Sequence, residues 1–364
     1  MAVSQGKKRN YGIDILRLIS MFFIITLHTL YHGNVTAVSE AGSANYYISN
    51  LLITIVWSGV DIFAIISGFV GYTQNGSHRF KRFFLLWLRV VVYSGSISVV
   101  FYFCRPGSVN LIGVFKSFFP ISNRTYWYFT SYVFVFLFSP VLNRLVEKCD
   151  HSSLKVLVIV GLGLLYLSHF LTGIFSIALL VYLYTLGAII RKQRLFERIS
   201  VKRGIVFAVI FYFLTWIWTV MLTPKSAFLG GVLLRYDSPT VIGAAAFLVM
   251  TFAKAQVTHV KTLAIITPSI FSLYLLNDHW LIRKAFIEDK FAWLSSASVL
   301  TMVMTILGVS ACFCVIGFII DFVRRYVEDE LKIATLAEKA EALVNYISIK
   351  LCDFAAKILF GNGK

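Results

Sequence analysis

Apolar stretches of bilayer length recur along this chain, parted by breaks rich in charge or in Gly, Pro and Asn. A helix rises 1.5 Å per residue, so about 20 apolar residues cross a hydrocarbon core of about 30 Å. The rhythm predicts ten spans, near residues 13–32, 47–73, 84–104, 126–146, 154–172, 174–190, 204–222, 238–253, 263–282 and 293–320. Only a tight break at His169 to Gly173 separates the fifth from the sixth, and the eighth is short. The predicted fold is therefore all-α, a polytopic transmembrane bundle. Beyond Arg325, Leu336, Leu343, Ile347, Leu351, Phe354 and Ile358 recur in helical rhythm on a charged background. That stripe predicts an amphipathic helix on the inner leaflet or against a neighbour. Two regions follow: a membrane domain over 1–325 and a cytoplasmic helical tail over 326–364.

Composition agrees with this pattern. With 58% hydrophobic and 14% charged residues, a water-soluble domain is excluded. The net charge of +17 sits in short clusters between spans, where it sets topology and meets anionic lipid headgroups, so nucleic acid is not an expected partner. Counting an inside N-terminus, the inner loops hold Lys7, Lys8 and Arg9, then Arg79, Lys81 and Arg82, then Arg144, Lys148 and Lys155. They continue with the large cluster from Arg191 to Arg203, then Lys254 and Lys261, and finally Arg324 and Arg325. The outer loops hold many fewer, which predicts a multi-pass plasma-membrane protein with both termini cytoplasmic. The first span is too long for a signal-peptide core and no small-residue cleavage pattern follows it, so it is expected to remain as an anchor. Five cysteines, Cys104, Cys149, Cys312, Cys314 and Cys352, show neither paired CxxC nor Cys/His spacing, so no disulfide framework and no metal site is expected. The pairs Gly161/Gly163 and Gly230/Gly231 fit neither a phosphate-cradling loop nor a dinucleotide fingerprint.

Against this apolar background the ionisable residues at membrane depth stand out. The stretch Gly12 to Gly33 carries Asp14 and Arg17 near one end and His28 near the other. Such groups are costly to place in lipid and read as functional by default. On a helix, Arg17 and His28 lie about 16 Å apart along the axis and within about 20° around it, on one polar face. The bland alternative has Arg17 snorkelling to headgroups and His28 resting in the far interface. The second span adds Asp61 and Ser67, the third carries Lys81, Arg82 and Arg89, and the ninth ends in Asn277, Asp278 and His279. A histidine and a carboxylate supply a base and the group that orients it if they meet across helices. For Ser67 and Asn277 the competing reading is interhelical hydrogen bonding, and for Arg82 it is ordinary inner-loop flanking.

Taken in order, several segments resemble the acyltransferase 3 family of integral membrane acyltransferases, in the form found in Gram-positive surface-polysaccharide clusters. They are GIDILRLISMFFIITLHT with its Arg17/His28 pair, GVDIFAIISGF, KRFFLLWLRVVVYS, WYFTSYVFVFLFSPVLN, YDSPTVIGAAAFL and SLYLLNDHWLIR. The resemblance covers nearly everything up to Arg325. It implies transfer of an acyl group, usually acetyl from cytosolic acetyl-CoA, to a hydroxyl of a cell-surface glycan or its lipid-linked precursor. His28 then suits the general base, and either Asp278 or Asp61 orients it; Arg17 holds a phosphate or the pantetheine amides. Lys81, Arg82 and Arg89 meet the 3′-phosphoadenosine end, while Trp127, Asn277 and His279 are expected to face the acceptor. Relatives often carry a His soon after the Tyr-Leu pair, where this chain has Asn277, with His279 two positions later. The rival class is a glycan transporter or flippase, against which the sequence shows no inverted repeat and no pair of broken spans in corresponding halves. A purely structural subunit leaves Arg17 and His28 unexplained.

Overall fold

The computed structural model describes residues 9–72, 80–171, 173–255, 257 and 261–360, and all regular structure among them is helical. Lys7, Lys8 and Arg79 of the expected basic loops lie outside the described residues. The chain opens with α1 (Tyr11–Tyr31), which begins where the Asn10 carboxamide oxygen accepts the Ile13 amide proton at 3.1 Å. After the short α2 (Val35–Val38) come α3 (Ala44–Trp57) and α4 (Gly59–Gly71), then α5 (Phe80–Cys104), the short α6 (Leu111–Ser117) and α7 (Trp127–Lys148). Next are α8 (His151–Leu167), α9 (Phe175–Lys192), the short α10 (Leu195–Arg198), α11 (Val201–Leu222), the short α12 (Ala227–Gly231) and α13 (Pro239–Lys254). The chain ends with α14 (Lys261–Ile266), α15 (Ile270–Asn277), α16 (Trp280–Phe286), α17 (Val299–Glu330) and α18 (Ile333–Phe360).

Among the described residues, eight helical stretches are long and apolar enough to cross a membrane: 11–31, 44–71, 80–104, 127–148, 151–170, 175–192, 201–222 and 299–330. The predicted eighth span is α13, apolar but only 16 residues long. Two spans read as continuous are interrupted. Over 263–282 the structure shows α14, a single turn at Thr267–Ser269, α15 and α16 in place of one helix. Pro268 forces the first break because it lacks an amide proton and restricts Thr267 before it. His279, with φ −61° and ψ 126°, makes the second. Over 47–73, α3 and α4 meet at Ser58, beside Gly59, where a side chain would strike the Ser20 carbonyl of α1. Both interrupted spans flank α1.

Contacts between helix ends fix how the chain alternates. At one end the Asn10 amide donates to the Ala253 carbonyl at 2.8 Å, Lys254 to that of Ile199 at 2.7 Å, and Lys192 to that of Val146 at 2.6 Å. At the opposite end Asn45 donates to the Ala297 carbonyl at 2.7 Å, the Tyr46 hydroxyl to Val220 at 3.1 Å, and the Asp289 amide to His32 at 3.0 Å. Helix α1 runs through the middle, touching α3, α4, α13, α15 and α17. Its Leu16, Ile25 and Leu30 are fully buried, as are Ile62 and Ile65 of α4 and Val249 of α13. The outside is apolar too, with Ile159 and Leu164 of α8 and Val209 and Phe213 of α11 exposed, as lipid contact requires. Helix α17 continues past Arg325 to Glu330, and a left-handed Lys332 (φ 50°) turns the chain into α18. The tail is helical over Ile333–Phe360; Leu336, Leu343 and Ile347 are exposed on it, and the side chains of Leu351, Phe354 and Ile358 lie outside the described set.

Candidate functional site

The break after α15 presents two polar side chains to the last turn of α1. Nδ1 of His28 lies 2.5 Å from the Asn277 carboxamide oxygen, and Nε2 lies 3.8 Å from Asp278 Oδ1. A carboxamide oxygen only accepts, so in this arrangement Nδ1 carries a proton, and in the neutral ring Nε2 keeps its lone pair. Asp278 is held in turn by Arg283 at 3.4 Å, and Arg283 by Glu288 at 3.0 Å. His28, Asn277 and Asp278 are all buried. Of the two carboxylates the sequence left open, the structure therefore brings Asp278 to the imidazole. No ion pair joins Asp61 to His28 among the described residues. Asp61 is fully buried, with neither carboxyl oxygen hydrogen-bonded, close enough to Asp237 for their charges to interact. His279 does not meet His28 either: its Nδ1 accepts the Leu281 amide proton at 3.3 Å and caps α16, with its ring beside Tyr126.

Toward the other end of α1, Asp14 receives Arg9 at 2.5 Å and Arg17 at 3.1 Å. A cavity of about 300 Å³ opens there, lined by Arg9, Asn10, Asp14, Arg17, Arg191 and Thr267 among others. Arg17 and Thr267 also line a second cavity of about 220 Å³, walled by Phe63, Tyr128, Tyr132 and Phe271. Phe63, Tyr128 and Phe271 are shared again with a narrow recess of about 20 Å³ that reaches His28, Trp127, Tyr236 and Tyr274. The polar face of α1 thus borders a lane of three adjoining spaces from Arg9 to His28. Beyond the recess the rings stack: Trp127 on Tyr236 at 6.0 Å and Tyr236 on Trp57 at 5.3 Å between centroids. A larger groove, about 550 Å³ between α5 and α17, is almost wholly apolar and shares no residue with this lane.

The third-span basic residues have other surroundings. Lys81 is paired with Glu338 of α18, and its amide donates to Glu341 at 3.0 Å. Arg89 donates to the Pro268 carbonyl at 2.9 Å, and Arg82 is exposed. Sequence reading counted Arg9 and Arg191 only as loop charges and missed them as cavity residues. Their signal was weak, because a basic residue at an inner helix end is the expectation for topology alone.

Residues 10–320 match the model of a protein family described as an acyltransferase domain. No curated protein and no solved structure matches the chain.

Proposed function

The chain belongs to the acyltransferase 3 family, a family of membrane acyltransferases, and from that premise we propose that it moves an acetyl group from cytosolic acetyl-CoA to a hydroxyl of a cell-surface polysaccharide or its lipid-linked precursor. The observation that carries this reading is the row of three spaces with shared walls along α1, with arginines at one end and a buried histidine at the other. A donor with a polyanionic head and a long thin thioester arm suits such a passage. Its acyl end then meets His28 next to the aromatic stack of Trp127, Tyr236 and Trp57, which offers faces to a sugar ring.

In this reading Nε2 of His28 takes the proton of the acceptor hydroxyl as its oxygen attacks the thioester carbonyl. The new C–O bond forms, the C–S bond breaks, and the departing thiolate recovers the proton from the imidazolium. Asn277 holds the tautomer through Nδ1, and Asp278, steadied by Arg283, stabilises the imidazolium while it exists. Arg17 positions the donor arm in the lane. Lys81, Arg82 and Arg89 draw the polyanion toward that end of the bundle. The donor side faces the cytoplasm, in the plasma membrane, with both termini inside.

The test is thioester cleavage by purified protein in lipid nanodiscs with acetyl-CoA and a polysaccharide fragment as acceptor. Acetyl-CoA should be consumed in step with ester formation on the glycan. Glycan movement without donor consumption would mark a flippase and remove the proposal.

A further inference from the structure

Three arginines gather at the mouth of the lane, and the one carboxylate among the described lining residues does not balance their charge. Arg9 and Arg17 both reach Asp14, so one carboxylate faces two guanidiniums. The third, Arg191, comes from α9, and its guanidinium carbon lies 5.1 Å from the centre of the Phe69 ring. An aromatic face holds a guanidinium flat without cancelling its charge. Counting Arg9, Arg17 and Arg191 against Asp14, the cavity wall keeps an excess of two positive charges around about 300 Å³. That volume is at the lower end of the range for small-ligand sites, about 300–1,000 Å³. Planar guanidiniums present paired donors that match phosphate oxygens. On α5, Lys81 is paired with Glu338 and Arg89 donates to the Pro268 carbonyl, and neither lines this cavity.

We infer that this cavity is a phosphate-binding site in which Arg191, with Arg9 and Arg17, grips the phosphate groups of the donor's nucleotide end. Asn10 and Thr267 complete the polar part of its wall, each already hydrogen-bonded to the helices that hold it. The inference rests on the reading of acetyl-CoA as donor and adds to it the place and the residues that recognise its anionic head. The pantetheine arm then passes Arg17 and runs between Phe63, Tyr128 and Phe271 toward His28.

The test is binding of coenzyme A to the full-length protein in phosphatidylcholine nanodiscs, repeated with phosphatidylglycerol added and with S-acetyl-pantetheine, which lacks the nucleotide. Arg191→Gln should weaken coenzyme A binding about ten- to a hundredfold, the scale of a lost charge-assisted contact. S-acetyl-pantetheine binding should stay within about twofold, which also shows that the variant is folded. Arg191→Lys should recover only part of the loss, and it carries the test if the Gln variant does not accumulate. Arg198→Gln, an exposed arginine beyond the cavity, should leave binding unchanged. Unaltered coenzyme A affinity in the Arg191 variants would overturn the inference, as would an effect seen only as lost dependence on phosphatidylglycerol, which would make the mouth a lipid headgroup site. The two readings fail separately. Arg191-dependent coenzyme A binding without any acetyl-CoA consumption would remove the proposed reaction and leave this site standing.

Discussion

His28 is the base of the proposed reaction; its imidazole is buried, with Nδ1 against the Asn277 carboxamide oxygen and Nε2 facing the Asp278 carboxylate. His28→Ala should insert and accumulate normally yet lose acyl transfer by about 10²- to 10⁴-fold, the usual contribution of a general base. The measurement is O-acetyl content of surface polysaccharide alongside membrane abundance, and normal acetylation in a well-expressed variant would remove the assignment. Arg17→Ala should differ in kind: its activity should recover as acetyl-CoA is raised, whereas that of His28→Ala should not. Asn277→Leu should lower kcat with little change in the Michaelis constant for acetyl-CoA, because it releases the tautomer and leaves the lane intact. Arg17 and His28 could be paired from sequence because helical geometry relates residues eleven apart on one helix. Asn277 and Asp278 could not, since they come from 249 and 250 residues further on, and their approach depends on a break that an apolar run conceals. Asp61 shows the converse, an obvious intramembrane carboxylate on α4 that forms no ion pair with His28.

Helices α4 and α9 are packed backbone to backbone through two reciprocal glycines. A Cβ on Gly68 would run into the Tyr184 carbonyl of α9, and one on Gly187 into the Ile65 carbonyl of α4. Lipid tails are as apolar as leucine, so helices in a bilayer associate through close contact of this kind, not through burial from water. A facing backbone cannot yield as a flexible side chain does. Gly68→Val and Gly187→Val should therefore each destabilise the bundle by about 1–3 kcal/mol or more, while Gly163→Ala, which would meet nothing within 4 Å, should be silent. Melting of the purified variants in detergent distinguishes them, and a melting point for Gly187→Val equal to that of the parent would refute this packing. Helix lengths were readable in advance because span length follows from bilayer thickness. The breaks at Ser58–Gly59 and Thr267–Pro268–Ser269 were not, because they are short and are flanked on both sides by apolar residues, so each run still reads as one span. Both matter for the lane, which takes Phe63 from α4 and Phe271 from α15.

For the whole molecule, hydrogen bonds between helix ends and the distribution of charge make one joint statement about topology. Lys254 donates to the Glu197 and Ile199 carbonyls, and Asn10 to that of Ala253, so the start of α1, the loop after α9 and the end of α13 share one side whatever the orientation. The Phe291 and Asp289 amides donate to the Gly33 and His32 carbonyls, which places the other end of α1 with the segment before α17. Charge then selects between the two orientations: the side holding Arg191 to Arg203 is the most basic, and basic loops are retained in the cytoplasm. Reporter fusions after Arg194 and after Lys254 should both report inside, and one after Glu40 outside. Disagreement between Arg194 and Lys254 would contradict the fold, because those positions are tied together by hydrogen bonds. Agreement on an outside location would leave the fold intact but turn the basic mouth of the lane away from the cytosol. The proposed direction of transfer would then fail, since acetyl-CoA would have no route to Arg9, Arg17 and Arg191 from the compartment that supplies it.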